Sequence, residues 1–324
     1  MTYWTAEDNV AGRPGTALFV ILPTVGCYRF RIGKACYMCS YPADAPKVKW
    51  SQDELVNYLR EALRKIEGRE GPFAVRIFTS GSFLDNGELK PETRRRMFEL
   101  LSGMENVEEI VVESRSELVR YDAVRELADV VPDRHFEVAI GLETASDDVA
   151  EVSINKGNTF SDFVRASETV RKAGARVKTY LLLKPIFLSE RDGMVDVRES
   201  ILRAEPYTDT FSINITDIQR GTLYERLWER NEYRPPWLWS AVDVLIWAKK
   251  RFPDKRILSD PVGAGSVRGP HNCLTEYDRV IGRAIKKFSA TQDLSYLENL
   301  RPECRERWSY IVEKGLLDWQ LVTW

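Results

Sequence analysis

Three of the five cysteines in this 324-residue chain, Cys27, Cys36 and Cys39, fall within thirteen positions. The spacing Cys-x8-Cys-x2-Cys is a ligand pattern. Thiolates bind soft iron or zinc; the close pair Cys36/Cys39 grips a centre from one turn while Cys27 closes from the far end of a loop. Structural zinc takes four protein ligands, yet no fourth Cys or His lies nearby. The only histidines are His135 and His271, and the remaining cysteines are Cys273 and Cys304. Three thiolates suit a [4Fe–4S] cluster whose fourth iron stays open to a substrate or cofactor. Two other readings stand beside it: zinc completed by Cys273 or His271, and buried cysteines that act only as small apolar side chains.

A site of this kind needs a scaffold. Ala17–Leu22 is a short apolar run ended by Pro23, which reads as a strand buried on both faces, and the cysteine loop follows directly. Ser51-Gln52-Asp53-Glu54 is a capping box, and Leu55, Tyr58, Leu59, Ala62, Leu63 and Ile66 continue at helical spacing up to Gly68. The same order repeats. Strands are predicted at 73–78, 109–112, 136–142, 177–183 and 211–216, with helices at 91–101, 117–128, 161–174 (Ser161 as N-cap), 192–204 and 222–231. Strands alternating with helices predict βαβ units and a parallel sheet, and each strand ends in polar or glycine residues at its carboxyl side, where α/β folds gather ligands. A partial (β/α)6 TIM-like barrel is the expected fold class, with 1–16 as an N-terminal lead and 233–324 as a helical C-terminal extension. A doubly wound dinucleotide fold lacks its G-x-G-x-x-G after the first strand.

Beyond 232 the character changes. Arg234-Pro235-Pro236-Trp237-Leu238-Trp239-Ser240 enters an apolar helix, and Trp237 and Trp239 read as packing residues rather than base-stacking ones. Arg256–Ser259 is a further short strand candidate. The loop from Asp260 to Cys273 is glycine-rich and ends in Arg268-Gly269-Pro270-His271-Asn272-Cys273, a segment of the kind that sits at a site. His271 and Cys273 invite a second metal, but the loop offers too few ligands. The apolar end, Leu316 to Trp324, reads as docking back or meeting a partner.

Composition narrows the classes. The formal net charge of −2 gives no overall basic field of a self-sufficient nucleic-acid binder. Arg94-Arg95-Arg96 and Arg283-Ala284-Ile285-Lys286-Lys287 are local basic runs that read as solvated helix faces. The polar start has no signal-peptide pattern and no stretch reaches eighteen apolar residues, so a cytoplasmic, membrane-free protein is expected. In a reducing compartment the five cysteines are expected to serve metal rather than disulfides.

Cys27, Cys36 and Cys39 after a first buried strand, Ser80-Gly81-Ser82 after the second, Glu113 after the third and Gly141-Leu142-Glu143 after the fourth together resemble the radical SAM superfamily. The long first spacer is similar to that of the Elongator catalytic subunit. Five blocks, Cys36–Asp44, Thr79–Asp85, Ile154–Gly157, Tyr233–Ser240 and Arg268–Cys273, resemble the archaeal radical SAM proteins of archaeosine biosynthesis, the RaSEA group. That resemblance covers residues from about 15 to 290.

The resemblance implies a radical SAM lyase that cuts the lysine carbon–nitrogen bond of a lysine adduct of 7-cyano-7-deazaguanine in tRNA, leaving archaeosine. Its cofactors would be a [4Fe–4S] cluster on Cys27, Cys36 and Cys39 and S-adenosyl-L-methionine on the open iron. Ser80, Gly81 and Ser82 would present backbone groups to the methionine amine. Glu113 and Glu143 would take the cofactor's ammonium or ribose hydroxyls, and Lys156 would pair with its carboxylate. Asn214 and Gln219 are candidates for the substrate lysine or base. Met38 stands where many members carry an aromatic residue beside adenine, and a thioether fills the same space. The implied partners are the modified tRNA, the lysine-transferring archaeosine synthase ArcS and an electron donor. Other radical SAM tRNA chemistry, thiomethylation or Elongator-like, and a zinc-binding tRNA adaptor are the alternatives. Thiomethylation needs a second cluster for which the chain has no cysteine set.

Overall fold

The computed structural model describes residues 2–318. One eight-stranded sheet runs in the order β1 to β8: Tyr3–Val10, Arg13–Leu22, Phe73–Thr79, Val107–Ser114, His135–Glu143, Arg176–Leu183, Thr210–Ile215 and Arg256–Leu258. β1 is antiparallel to β2, and every later neighbour is parallel. Strands in strict chain order, each parallel pair joined by a helical crossover, curl into the expected partial barrel. The six central strands match the sequence reading, and Arg256–Leu258 is a strand that extends the parallel set.

The segment 1–16 does more than lead in. Val10 and Arg13 pair across a two-residue turn, and Ala11 (φ 49°) and Gly12 (φ 97°) both occupy the left-handed region that a primed hairpin turn requires. β1 is largely exposed on residues 4–7, so it carries no apolar alternation by which to be recognised.

Outward-facing Leu18, Val20, Val75, Ile77, Ile110, Val112, Val138 and Ile140 pack under the helices in one continuous core. The inward positions differ with height. At the amino ends Arg76, Glu109, Glu137, Lys178, Thr210 and Arg256 are all buried. Arg256 reaches Glu109 at 2.5 Å and Glu137 at 2.7 Å, Arg76 reaches Asp8 at 2.5 Å, and the Ala11 amide donates to Glu109 Oε2 at 2.5 Å. These charges seal the floor. Toward the carboxyl ends the inward residues Phe19, Phe78, Glu113, Tyr180 and Asn214 are only half-buried, so the upper lumen is open to solvent.

Three expectations need correction. The helix expected over 117–128 runs from Tyr121 to Val130. The helix expected from Ser161 is Phe160–Lys172, capped by Thr159: Thr159 Oγ1 accepts the Asp162 amide while the Asp162 carboxylate accepts the Thr159 amide at 2.8 Å. The expectation that no cysteine forms a disulfide fails, because Cys273 and Cys304 are bonded with their Cα atoms 6.4 Å apart. The glycine-rich loop is folded back onto the start of the helix Arg305–Lys314, which brings the two together. A bridge closing a loop of 31 residues stabilises by about 3–4 kcal/mol in the chain-entropy view.

The C-terminal residues share the barrel's core. Trp237 and Trp239 are buried, as their packing role requires, and Trp239 Nε1 donates to Glu303 O at 2.9 Å. Leu316 packs on the core, and Asp318 accepts from Lys184 Nζ at 2.8 Å; residues 319–324 of the apolar end lie outside the described residues. Among the described residues no helix is long and apolar enough to cross a membrane.

Candidate active site

The cysteine loop leaves β2 and crosses the carboxyl end of the barrel, tied down at three places. The Cys27 amide donates to Ser80 O at 3.0 Å, just past β3. Tyr37 donates its amide to Ile154 O at 2.9 Å, and Asn155 Nδ2 donates to Ala35 O at 2.8 Å. Gln219, past β7, accepts the Ser40 amide at 2.7 Å.

Close approach explains the glycine in Ser80-Gly81-Ser82. A Cβ on Gly81 would lie 2.7 Å from Cys27 Cα and 2.0 Å from Glu88 Oε1. Glu88 is buried and receives the Ser82 amide at 2.7 Å on one oxygen and the Thr24 hydroxyl at 2.5 Å on the other. Burial pushes its carboxyl pKa up, and these hydrogen bonds partly oppose that. Ser82 Oγ accepts the Arg115 amide at 3.1 Å. The turn is thus the seat of the first cysteine.

Cys27, Cys36 and Cys39 are free and half-buried. Burial and then the neighbouring Cys36 push the Cys39 thiol up to about 12, with Cys27 adding in the same direction. Three thiols that repel one another as anions fit a bound cationic cluster, whose charge reverses that repulsion. Among the described residues no three His, Cys, Asp or Glu side chains group closely enough to hold a single ion. Zinc completed from the C-terminal loop is ruled out for Cys273 by its disulfide, while His271 is buried with Nδ1 2.8 Å from Gly269 O. Burial, then Arg234, lowers the His271 pKa to about 4. A second metal on His271 and Cys273 fails for the same reason.

Glu143 and Lys156 are brought together as partners of each other, with Nζ 2.9 Å from Oε1. Glu143 follows a register shift in β5 and has φ 67°, which turns its carboxylate toward the mouth. Burial opposes the Lys156 charge, but Glu143 and Cys36 outweigh it and raise its pKa. Lys156 reaches this position from a turn in which Asn155 has φ 57° and Gly157 φ 73°. Arg29 fills the space that a Gly157 side chain would take, with Nη1 2.1 Å from the ideal Cβ position.

Glu113, at the end of β4, faces Tyr180 on β6. Burial raises its pKa to about 7, with the Tyr180 hydroxyl and Lys178 lowering it in part and Glu143 raising it. Asn214 is half-buried on β7 and, among the described residues, its side-chain amide makes no hydrogen bond. Gln219 is committed to the cysteine loop through its oxygen. Met38 packs with Tyr37 against Ile186, Ile218, Tyr224 and Tyr233.

Sequence reasoning missed Glu88 and Arg115. Arg115 donates to Lys156 O at 2.6 Å and to Glu117 at 2.5 Å, and places Nη1 4.0 Å from Cys36 Sγ. A cation directly after the third core strand was the available signal. Glu88 offered none, being a lone carboxylate in a turn.

Fold and site together define the class: the Radical SAM superfamily model matches residues 21–197, and the chain belongs to that superfamily, whose enzymes use a [4Fe–4S] cluster and S-adenosyl-L-methionine. Closer similarity follows within it. The chain is 82% identical, over the full length of both, to the archaeosine synthase subunit beta of Thermococcus kodakarensis. It is 45% identical to the protein of the same name from Methanosarcina acetivorans, over 96% of this chain and 89% of that one. The archaeal Elp3 of Methanocaldococcus infernus superposes with a TM-score of 0.55 at 12% identity, over 87% of this chain and 64% of that one, a likeness of fold.

Proposed function

We propose that this chain is the radical SAM subunit of an archaeosine-forming enzyme, cleaving the lysine carbon–nitrogen bond of a lysine adduct of 7-cyano-7-deazaguanine in tRNA. The observation that carries the reading is the trio of free thiols on one loop across the open end of the barrel, with Cys27 seated on the Ser80–Ser82 turn, in a chain 82% identical to an archaeosine synthase subunit beta. The name of those relatives supports a partner subunit, and ArcS, which makes the lysine adduct, is the partner proposed. An electron donor completes the system.

When bound, the cluster and S-adenosyl-L-methionine supply a 5′-deoxyadenosyl radical that takes hydrogen from the substrate lysine. The chain's residues position the parts. Cys27, Cys36 and Cys39 hold the cluster, and Arg115 sets a positive charge beside Cys36. Backbone groups of Ser80, Gly81 and Ser82 meet the methionine amine. Lys156 takes the cofactor carboxylate, leaving Glu143 free for an ammonium or ribose hydroxyl, and Glu113 serves the same end of the pocket. Asn214, with its amide unengaged, faces the substrate lysine. Gln219 stands beside it while fixing Ser40.

The test compares anaerobically reconstituted protein with Cys36→Ala, on lysine-modified and unmodified tRNA. The unaltered chain is expected to hold about four irons and to form 5′-deoxyadenosine and archaeosine only on modified tRNA. Cys36→Ala is expected to lose both iron and product. Deoxyadenosine formed equally on both tRNAs, or none with full iron, rejects the assignment.

A further inference from the structure

Of the two basic runs that stand out in the sequence, all members but the exposed Arg283 are engaged within the protein. Arg94 is buried and donates to Leu89 O at 2.9 Å. Arg95 pairs with Glu99 at 3.1 Å, Arg96 with Asp53 at 2.6 Å, Lys286 with Asp260 at 3.1 Å, and Lys287 with Glu7. A cation already matched by a carboxylate has little left to offer a polyanion.

The cysteine loop is the opposite case. Between Cys27 and Trp50 stand five basic residues against the single acidic Asp44, a local surplus of four in a chain of net charge −2. Arg29 and Arg31 hold the loop itself, through Asn155 O at 3.1 Å and Asp85 at 4.0 Å. Lys34, Lys47 and Lys49 are exposed and, among the described residues, make no ion pair and no side-chain hydrogen bond. Tyr41 and Phe30 expose 58% and 37% of their surface on the same loop. Unmatched ammonium groups and exposed aromatic rings on one loop combine phosphate attraction with faces on which bases stack. The loop also lies across the open end of the barrel, fastened to residues that follow β3, β5 and β7.

We infer that the outer face of the cysteine loop, through Lys34, Lys47 and Lys49 with Tyr41, is a tRNA-docking surface that carries the modified base to the barrel mouth. This rests on the proposed tRNA substrate and extends it to a surface of this subunit. The phosphates flanking the target nucleotide take the lysines, and Tyr41 offers its ring to the base beside it.

The experiment measures binding of tRNA to the cluster-loaded chain by fluorescence anisotropy across a salt series. Its variants are Lys34→Gln/Lys47→Gln/Lys49→Gln and Arg95→Gln/Lys286→Gln. Iron content of each checks that the loop still holds its cluster. The triple variant is expected to weaken binding about tenfold or more and to flatten the salt slope by about 2–3, with iron unchanged, as loss of three phosphate contacts requires. The second variant is expected to match the unaltered chain. Equal losses in both, no binding by the unaltered chain, or unchanged tRNA binding with loss of association with the partner subunit overturns the inference. Those results leave the substrate assignment standing as long as archaeosine forms on modified tRNA. Tyr41→Phe is expected to retain affinity and Tyr41→Ala to lose it; equal behaviour removes the ring from the surface.

Discussion

The barrel has two charged ends that obey different rules. At the floor most charges are answered by the protein: Arg256 lies between Glu109 and Glu137, Arg76 between Asp8 and Glu109, and the Glu137 carboxyl is held well below its usual range although burial opposes it, chiefly by Arg256, while Lys178 makes no ion pair among the described residues and burial lowers its pKa to about 8. At the mouth burial raises the Glu113 pKa to about 7, the Asn214 side chain makes no hydrogen bond among the described residues, and burial and then Cys36 push the Cys39 thiol up. The first arrangement is closed within the protein except at Lys178. The second is compensated only in part, and perturbed groups that gather in a cleft mark where a ligand completes the electrostatics.

The sharpest way to break this contrast is to remove a partner at each end. Arg256→Met leaves two buried carboxylates short of a cation, and such losses cost about 3–5 kcal/mol. A urea midpoint lowered accordingly, with iron per folded chain unchanged, is the expected outcome. A stable variant that loses iron would mean that the floor belongs to the site. At the mouth, Gly81→Ala forces a methyl against Cys27 and Glu88, and overpacking of this kind costs about 1–3 kcal/mol. Iron binding should fall severalfold in protein that remains folded; normal loading would show that Cys27 is not positioned by this turn.

The smallest expected effect is also the most specific. Glu113 has a folded pKa near 7 against an ordinary value of 4.5, so the fold holds its proton more tightly than the unfolded chain does. Its favourable contribution is full below about 4.5 and is lost as pH rises to about 7. Partial exposure limits the amount to about 1–2 kcal/mol. Glu113→Gln should therefore gain stability relative to the unaltered chain across that window and stay level above it. Parallel curves would remove Glu113 from the uncompensated set.

These differences decide what the sequence could disclose. Cys27, Cys36 and Cys39 stand out as candidates by spacing and Glu113 and Glu143 by strand ends, Lys156 only by the resemblance, and burial of outward Val, Ile and Leu made the strands legible. β1 was not, since its exposed polar residues show no alternation. The floor escaped notice because its members are single charged residues at strand starts, related only once the sheet curls. Gln219 was read for substrate, yet its bond to Ser40 depends on a loop path that no local pattern announces. The Cys273–Cys304 bridge likewise follows from where a loop returns.

The short turn Asn155-Lys156-Gly157 fastens the cysteine loop through Asn155, supplies the ammonium that meets Glu143, and receives Arg115 on the carbonyl of Lys156. Sulfur cradle and cation are consequently mounted on one peptide bracket. Their spacing is inherited from a single rigid piece of backbone, and does not have to be found anew by separate arms each time the enzyme turns over.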